Sequence, residues 1–296
     1  MHTHLRPLSF GEILDSAFSL YRRHFVPLFI TTLIPLVPTS VVSGILTQQV
    51  AVDTAAAPDS FSLALIPILI ISALASVVMW AALAREVGEA WTGREVSVAD
   101  GYRHGLRAFF PILGAAIVAY ILIVVAFMFI GIVAAILGGV VGGIAGAAVG
   151  GGAIAVVLVP IFILVLVAFL VGVSALFGVL PAIVIEKLGP FRAIGRSVSL
   201  ARGALPRVTG IVMVAWLIVM LPLMGGMLLT GGFAAVTDPA AIPSMGQIWL
   251  QQLVNSVIGA LTTPFLVASI VILYFDRRVR TEALDVQLAA DALAVG

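Results

Sequence analysis

The four histidines, His2, His4, His24 and His104, are the first residues to test for metal chemistry. No two of them stand three or four apart within a helix, the spacing that would bring two imidazoles onto one ion. His2 and His4 flank a threonine at the N-terminus, where a solvated tail is favoured over a metal site. Carboxylates come next. A pair for general acid–base work would have to come from Glu86, Glu89, Glu186 or Asp276. Each also reads as a solvated or arginine-paired interface charge, and that reading is favoured. No glycine-rich segment has the phosphate-loop form. Cysteine is absent, which removes disulfides, thiolate metal ligands and cysteine nucleophiles. The sequence therefore predicts no catalytic site, no cofactor and no bound metal.

Composition decides the class. Of 296 residues, 62% are hydrophobic and 10% charged, and the mean hydropathy is +1.23. A soluble domain carries roughly 25% charged residues. A chain this apolar is read as an integral membrane protein. A net charge of +1 gives no reason to expect a nucleic-acid partner. Only Lys187 among the 15 bases is lysine, and with abundant alanine, glycine and valine this suggests a GC-rich bacterial genome. The expected location is a bacterial cytoplasmic (inner) membrane, crossed several times.

Six apolar spans are predicted within one membrane domain, residues 1–296: 26–48, 61–84, 110–137, 153–180, 208–230 and 248–275. Each is long enough to cross a ~30 Å hydrocarbon core. The first is too long for the hydrophobic region of a signal peptide and is expected to be retained. Pro35, Pro38, Pro222 and Pro264 fall inside spans and should kink them. In the preceding residues 1–24, Ser9 and Glu12 have the capping-box spacing. Phe10, Ile13, Leu14, Ala17, Phe18 and Tyr21 then share one helical face. Two placements fit this amphipathic helix: on the membrane surface, or packed on the protein's own loops. Ser97 and Asp100 form a second cap signature, followed by Val98, Tyr102, Leu106 and Phe109 at helical spacing. In the basic stretch Pro181–Arg207, Pro190 suits a first helical turn and Gly203 a C-terminal cap. The cytoplasmic tail 276–296 places Val279, Ala283, Val286, Ala290 and Leu293 on one face.

From Ala108 to Ile185 no residue is charged. Two long spans or three short ones would fit this length, and the charges choose between them. With two, three bases before the first span, four within 85–107, five within 186–207 and three in the tail lie on one side, and these are all 15. The other side carries only Asp53, Asp59 and Asp238. By the positive-inside rule this predicts an all-α polytopic bundle of six transmembrane helices. They form three hairpins, with both termini and the amphipathic helices in the cytoplasm. The middle hairpin turns at Gly138–Gly152, where glycine recurs every fourth residue and helical extensions around a glycine-rich turn are expected.

Arg23, Arg107 and Arg202 each stand four residues before a proline, Pro27, Pro111 and Pro206, where an odd-numbered span begins. The pattern suggests three repeats of surface helix, span and span. Arginine at such positions can snorkel to lipid headgroups. Arg23, Arg107, Arg192, Arg196, Arg202 and Arg207 are therefore the candidate headgroup contacts. Proline at a helix start sacrifices no bond the helix needs. The spans hold no Asp, Glu, Lys, Arg or His, which argues against a proton-driven pump. Their mild polarity, including Thr31, Ser72, Asn255 and Thr262, would line a cavity if broken helices formed one. Ordinary helix packing is the favoured role for these residues.

Three stretches together resemble a known family. They are Leu5-Arg-Pro-Leu-Ser-Phe-Gly-Glu-Ile-Leu-Asp15 with Leu20-Tyr-Arg-Arg23; Pro181-Ala-Ile-Val-Ile-Glu186 with Arg196-Ser197 and Leu200-Ala-Arg-Gly203; and Tyr274-Phe-Asp-Arg-Arg-Val-Arg280 with Glu282 and Asp285. The pattern is similar to the membrane domain named after glycerophosphoryl diester phosphodiesterase, and it touches both ends and the middle of the chain. In some relatives that domain is fused to a catalytic domain. Here the chain ends about 20 residues past the last span, so the resemblance implies a standalone membrane module and carries over no active site. The expected function is a non-enzymatic scaffold or accessory module that meets lipid, or another membrane or cytoplasmic protein, through a basic cytoplasmic face. The alternative is a transporter or permease for a neutral or lipid-like solute.

Overall fold

The computed structural model describes residues 6–56, 65–149, 166–232 and 244–283, together with Pro160 and Ile163. All regular structure among the described residues is helical. In chain order the helices are α1 (Phe10–Arg23), α2 (Phe25–Ala56), α3 (Leu65–Trp91), α4 (Val98–Arg107), α5 (Phe109–Val149), α6 (Val179–Val184), α7 (Pro190–Ala201), α8 (Leu205–Leu229) and α9 (Met245–Glu282). Five helical segments are long and apolar enough to cross a membrane, and a sixth when α4 and α5, bent by 61° at their break, are taken as one. Large apolar side chains on these helices face outward, among them Ile34 on α2 and Leu221 on α8, 50% and 63% exposed. Continuous apolar exposure of this kind suits lipid rather than water.

The organising element is the C-terminal half of α9. From Pro264 to Phe275 every side chain except Ile270 is buried. A helix buried on all sides is a core helix, and α1, α2, α3, α6, α7 and α8 all pack against α9. At 38 residues α9 is about 57 Å long at 1.5 Å per residue, nearly twice a ~30 Å hydrocarbon core. Pro35, Pro38, Pro222 and Pro264 all lie inside continuous helices.

Three times an amphipathic helix, a break of one to three residues and a long apolar helix follow one another: α1–α2, α4–α5 and α7–α8. Pro27, Pro111 and Pro206 each lie in the first turn of the long member. At the α7–α8 break Gly203 has φ +74°, the left-handed region that a C-terminal cap requires and glycine adopts without strain.

The capping box of α1 forms as its spacing predicts. The Ser9 amide donates to Glu12 Oε2 at 2.6 Å and the Glu12 amide to Ser9 Oγ at 3.3 Å. Ile13, Ala17 and Leu20 are buried, mainly against α9, while Phe10 and Phe18 remain exposed. Of the two placements open in the sequence, α1 thus takes the protein's own surface for its apolar face. The Ser9 amide, and next Arg6, hold the Glu12 carboxyl down at about 2, from 4.5. A depressed folded pKa contributes stability above the unfolded value that is lost as pH falls through the folded one. Amide protection across residues 9–13, relative to the intrinsic exchange rate, should therefore fall between about pH 4.5 and 2. Glu12→Gln, which can still complete the box, should show no such pH dependence.

Several helices continue past the predicted apolar limits. α2 runs to Ala56 rather than stopping near Gln48, and α5 runs on through Gly138 to Val149. The glycine-rich segment is thus helical over 138–149, while 150–152 lie outside the described residues. The fall in hydropathy at these limits does not break the backbone hydrogen bonding. α3 likewise carries Arg85, Glu86 and Glu89 on its helix, with Arg85 Nη2 paired to Glu89 Oε1 at 2.7 Å, an i,i+4 pair. The helical tail reaches only Glu282, and the expected face through Val286, Ala290 and Leu293 lies outside the described residues.

Candidate functional site at the charged end of the bundle

Asp276 sits within α9 one turn from its end, and only 2% of it is exposed. Its carboxylate gathers three remote segments. Oδ1 accepts from the Leu8 amide at 2.8 Å and from Arg280 Nε at 3.0 Å. Oδ2 accepts from Arg207 Nη2 at 3.2 Å. Arg207 Nη2 also donates to the Leu8 carbonyl, as does Arg280 Nη2 at 2.6 Å. The segment before α1 is thereby bound through both its N–H and its C=O.

A second cluster joins α6–α7 to the end of α9. Arg196 donates from Nε to Glu186 Oε2 at 3.1 Å and from Nη2 to Glu282 Oε2 at 2.9 Å, with Nη1 also bonded to Glu282. Arg278 Nε lies 3.2 Å from both Glu186 Oε1 and Glu282 Oε2. The Tyr274 hydroxyl donates to Glu186. Between the two clusters, Arg277 Nε donates to the Leu200 carbonyl at 2.8 Å, and Nη2 to the Arg202 carbonyl at 3.3 Å. These are carbonyls that the end of α7 leaves without helical partners.

The fourth apolar stretch, Leu166–Val184, is helical over 166–174 and resumes as α6 after a turn at 175–178. Ser197 bridges that turn. Its Oγ accepts from the Gly178 amide at 2.8 Å and donates to the Ala175 carbonyl at 2.7 Å. A β-carbon at Gly178 would stand 3.0 Å from the Tyr274 ring, so glycine admits the close approach of α9. Ser197→Ala should orphan one buried donor and one acceptor and cost about 2–6 kcal/mol, at roughly 1–3 each. Thermal unfolding in detergent checks this, and Ser197→Thr should recover part of the loss.

The carboxylates weighed for catalysis are dispersed. Glu186 and Asp276 are bound by arginines and Glu89 by Arg85. Glu86 is fully buried, with Oε1 accepting from the Thr31 hydroxyl at 2.6 Å. The Tyr102 hydroxyl donates to the Thr31 carbonyl at 2.6 Å, closing an α2–α3–α4 contact. α3 thus carries a buried carboxyl just beyond the predicted span end at Ala84. The residues proposed to line a cavity are not brought together. Thr31 is buried against Glu86, and the Thr262 hydroxyl donates to the Ile258 carbonyl at 2.8 Å. Ser72 and Asn255 are half-buried, and none of the four lines the recesses below.

The bases divide into two groups. Arg6, Arg85, Arg103, Arg196, Arg207, Arg277, Arg278 and Arg280 bond or pair within the protein. Arg22, Arg23, Arg94, Arg107, Lys187, Arg192 and Arg202 are exposed and form no ion pair with the described residues. Of the six candidate headgroup arginines, Arg196 and Arg207 therefore spend their donors internally, and Arg23, Arg107, Arg192 and Arg202 remain available. Sequence reasoning missed the buried role of Asp276, although an acid amid Arg277, Arg278 and Arg280 signals charge pairing.

Two recesses adjoin this end. One, of about 400 Å³, is apolar and bounded by α3, α5, α6, α8 and the turn at 175–178, with Trp80, Phe177 and Trp216 in its wall. The other, of about 300 Å³, is lined by His104, Arg107, Lys187 and Pro111. Ile183 lines both.

Residues 80–274 match the model of a family described as a domain of unknown function, DUF7847. The chain belongs to that family. The DUF7847 region holds Glu186, Arg196 and Tyr274 of the second cluster and every residue lining the basic recess. Leu8 and Asp276 lie on either side of it, so their contact closes outside the matched segment. No curated protein and no solved structure matches the chain.

Proposed function

We propose that the protein is a non-enzymatic, multi-pass module of a bacterial cytoplasmic membrane that meets anionic lipid through its charged end. In this reading six helices cross the bilayer as three hairpins, with both termini and α1, α4 and α7 in the cytoplasm. The division of the bases carries the proposal. Among the described residues, seven exposed cations without ion pairs belong to the loops and amphipathic helices of the three repeated units, against Asp15 and Glu95 as exposed acids without ion pairs. Such an excess is attracted to anionic headgroups. Of the motif residues on which the likeness to glycerophosphoryl diester phosphodiesterase membrane domains rests, Leu8, Glu186, Arg196, Tyr274, Asp276 and Glu282 take part in the two clusters. A cytoplasmic or membrane protein with an acidic surface would use the same cations.

The test is capture of phosphatidylglycerol vesicles by the full chain in phosphatidylcholine nanodiscs. Capture should fall with salt. It should fall by more than about tenfold when Arg22, Arg23, Arg94, Arg192 and Arg202 become glutamine, since each base near an anionic surface contributes about 1 kcal/mol. Unchanged capture would remove the proposal.

A further inference from the structure

The two adjoining recesses have complementary chemistry. The inner one is walled by Trp80, Ala119, Phe177, Leu180 and Trp216, and takes hydrocarbon. The outer one presents Arg107, Lys187 and His104, and no carboxylate among the described residues lines it. Neither Arg107 nor Lys187 has an ion-pair partner among the described residues, in contrast to the nearby Arg196. The Ile183 side chain borders both spaces, so a molecule with an apolar chain and an anionic head can occupy the two at once. Their volumes lie at the lower end of the ~300–1,000 Å³ range of small-molecule sites.

The backbone adds an independent observation. Lys187 has φ +56°, a left-handed conformation that glycine adopts readily and lysine only under strain. The Leu188 amide donates to the Ala182 carbonyl at 3.3 Å across the turn that holds it. Strain of this kind collects at ligand-binding positions. The sole lysine of the chain therefore stands where the fold alone would favour glycine. His104 Nδ1 lies 2.9 Å from the Asp100 carbonyl and, facing an acceptor, donates to it. His104 is thereby held at the rim, and the cationic recognition falls to Arg107 and Lys187.

We propose that this pair of recesses is a binding site for a single anionic phospholipid, its phosphate between Arg107 and Lys187 and one acyl chain along the Trp80–Trp216 wall. The inference rests on the membrane placement proposed above, and the residues substituted to test it are not those substituted in the vesicle test. The experiment is native mass spectrometry of the full chain released from detergent containing equal phosphatidylglycerol and phosphatidylcholine. Wild type should retain phosphatidylglycerol about tenfold over phosphatidylcholine, the scale of a charge-assisted contact. Lys187→Gly with Arg107→Gln should abolish the preference while leaving the unfolding temperature unchanged or higher, because glycine relieves the strained backbone. Ala119→Phe, which fills the apolar recess, should lower retention of both lipids. Arg192→Gln with Arg202→Gln should change neither. Equal retention of the two lipids by wild type would mean boundary lipid only and would overturn the proposal. So would displacement of the lipid by sn-glycerol 3-phosphate alone, since the apolar recess would then contribute nothing.

Discussion

Asp276→Ala is expected to cost about 3–5 kcal/mol, the range for removing one partner from a buried ion pair. The Asp276 side chain is inaccessible, and its two oxygens receive the Leu8 amide, Arg207 and Arg280. Deleting the carboxylate leaves two guanidinium groups facing each other and a buried N–H without an acceptor. The Leu8 carbonyl, which accepts from both arginines, cannot offset two positive charges. The unfolding midpoint in a fixed detergent should fall by on the order of 10 °C. Hydrogen exchange should rise first in α1, whose leading residues are bound there. Asp276→Asn keeps an oxygen for the Leu8 amide and should recover part of the loss. A midpoint unchanged in both variants would show that the carboxylate does not tie these segments together.

Arg196→Leu comes next, with an expected loss of about 2–3 kcal/mol, near the upper range for charge-assisted hydrogen bonds. The side chain is 24% exposed, so solvent screening keeps the cost below that of Asp276. Without Arg196, Glu186 and Glu282 lose the guanidinium that joins them, while Arg278 still reaches both and the Tyr274 hydroxyl still donates to Glu186. Glu282, and then Glu186, hold the Arg196 guanidinium above its ordinary pKa. Stabilisation from a raised pKa is complete below the unfolded value and lost only above the folded one. Arg196 therefore adds no pH dependence at neutrality, and the cost of Arg196→Leu should be the same at pH 7 and pH 9. Arg196→Lys should restore less than half of the loss, because an ammonium group cannot present the planar fork that reaches both carboxylates. Thermal unfolding of the three proteins at both pH values checks these outcomes.

Much of this architecture is legible in residue order, because local rules govern it. The Ser9–Glu12 box, the Ser97 cap, the first-turn positions of Pro190 and Pro206 and the left-handed Gly203 follow from neighbours within four residues. Helix ends past the spans are harder to read, since hydropathy marks where a helix stops being apolar and not where it stops being a helix. α3 shows this: Val87, Ala90 and Trp91 continue its apolar period around Arg85 and Glu86. The clusters were not legible, because Leu8, Arg207 and Asp276 meet across 69 to 268 positions and no periodicity encodes such a meeting. Arginines that bond within the protein and arginines free for lipid therefore look alike in sequence. Arg196 and Arg202 stand six residues apart in the same basic stretch, yet among the described residues only Arg196 has carboxylate partners.

The absence of cysteine makes the membrane arrangement directly measurable. Single cysteines at Gly11, Asp100 and Gly189, all exposed, and one at Asp53 can be reacted with a membrane-impermeant maleimide in sealed inside-out and right-side-out vesicles. Gly11, Asp100 and Gly189 should label together from the cytoplasmic surface, and Asp53 from the opposite one. Labelling of Gly189 from the side that labels Asp53 would contradict a common compartment for the basic segments.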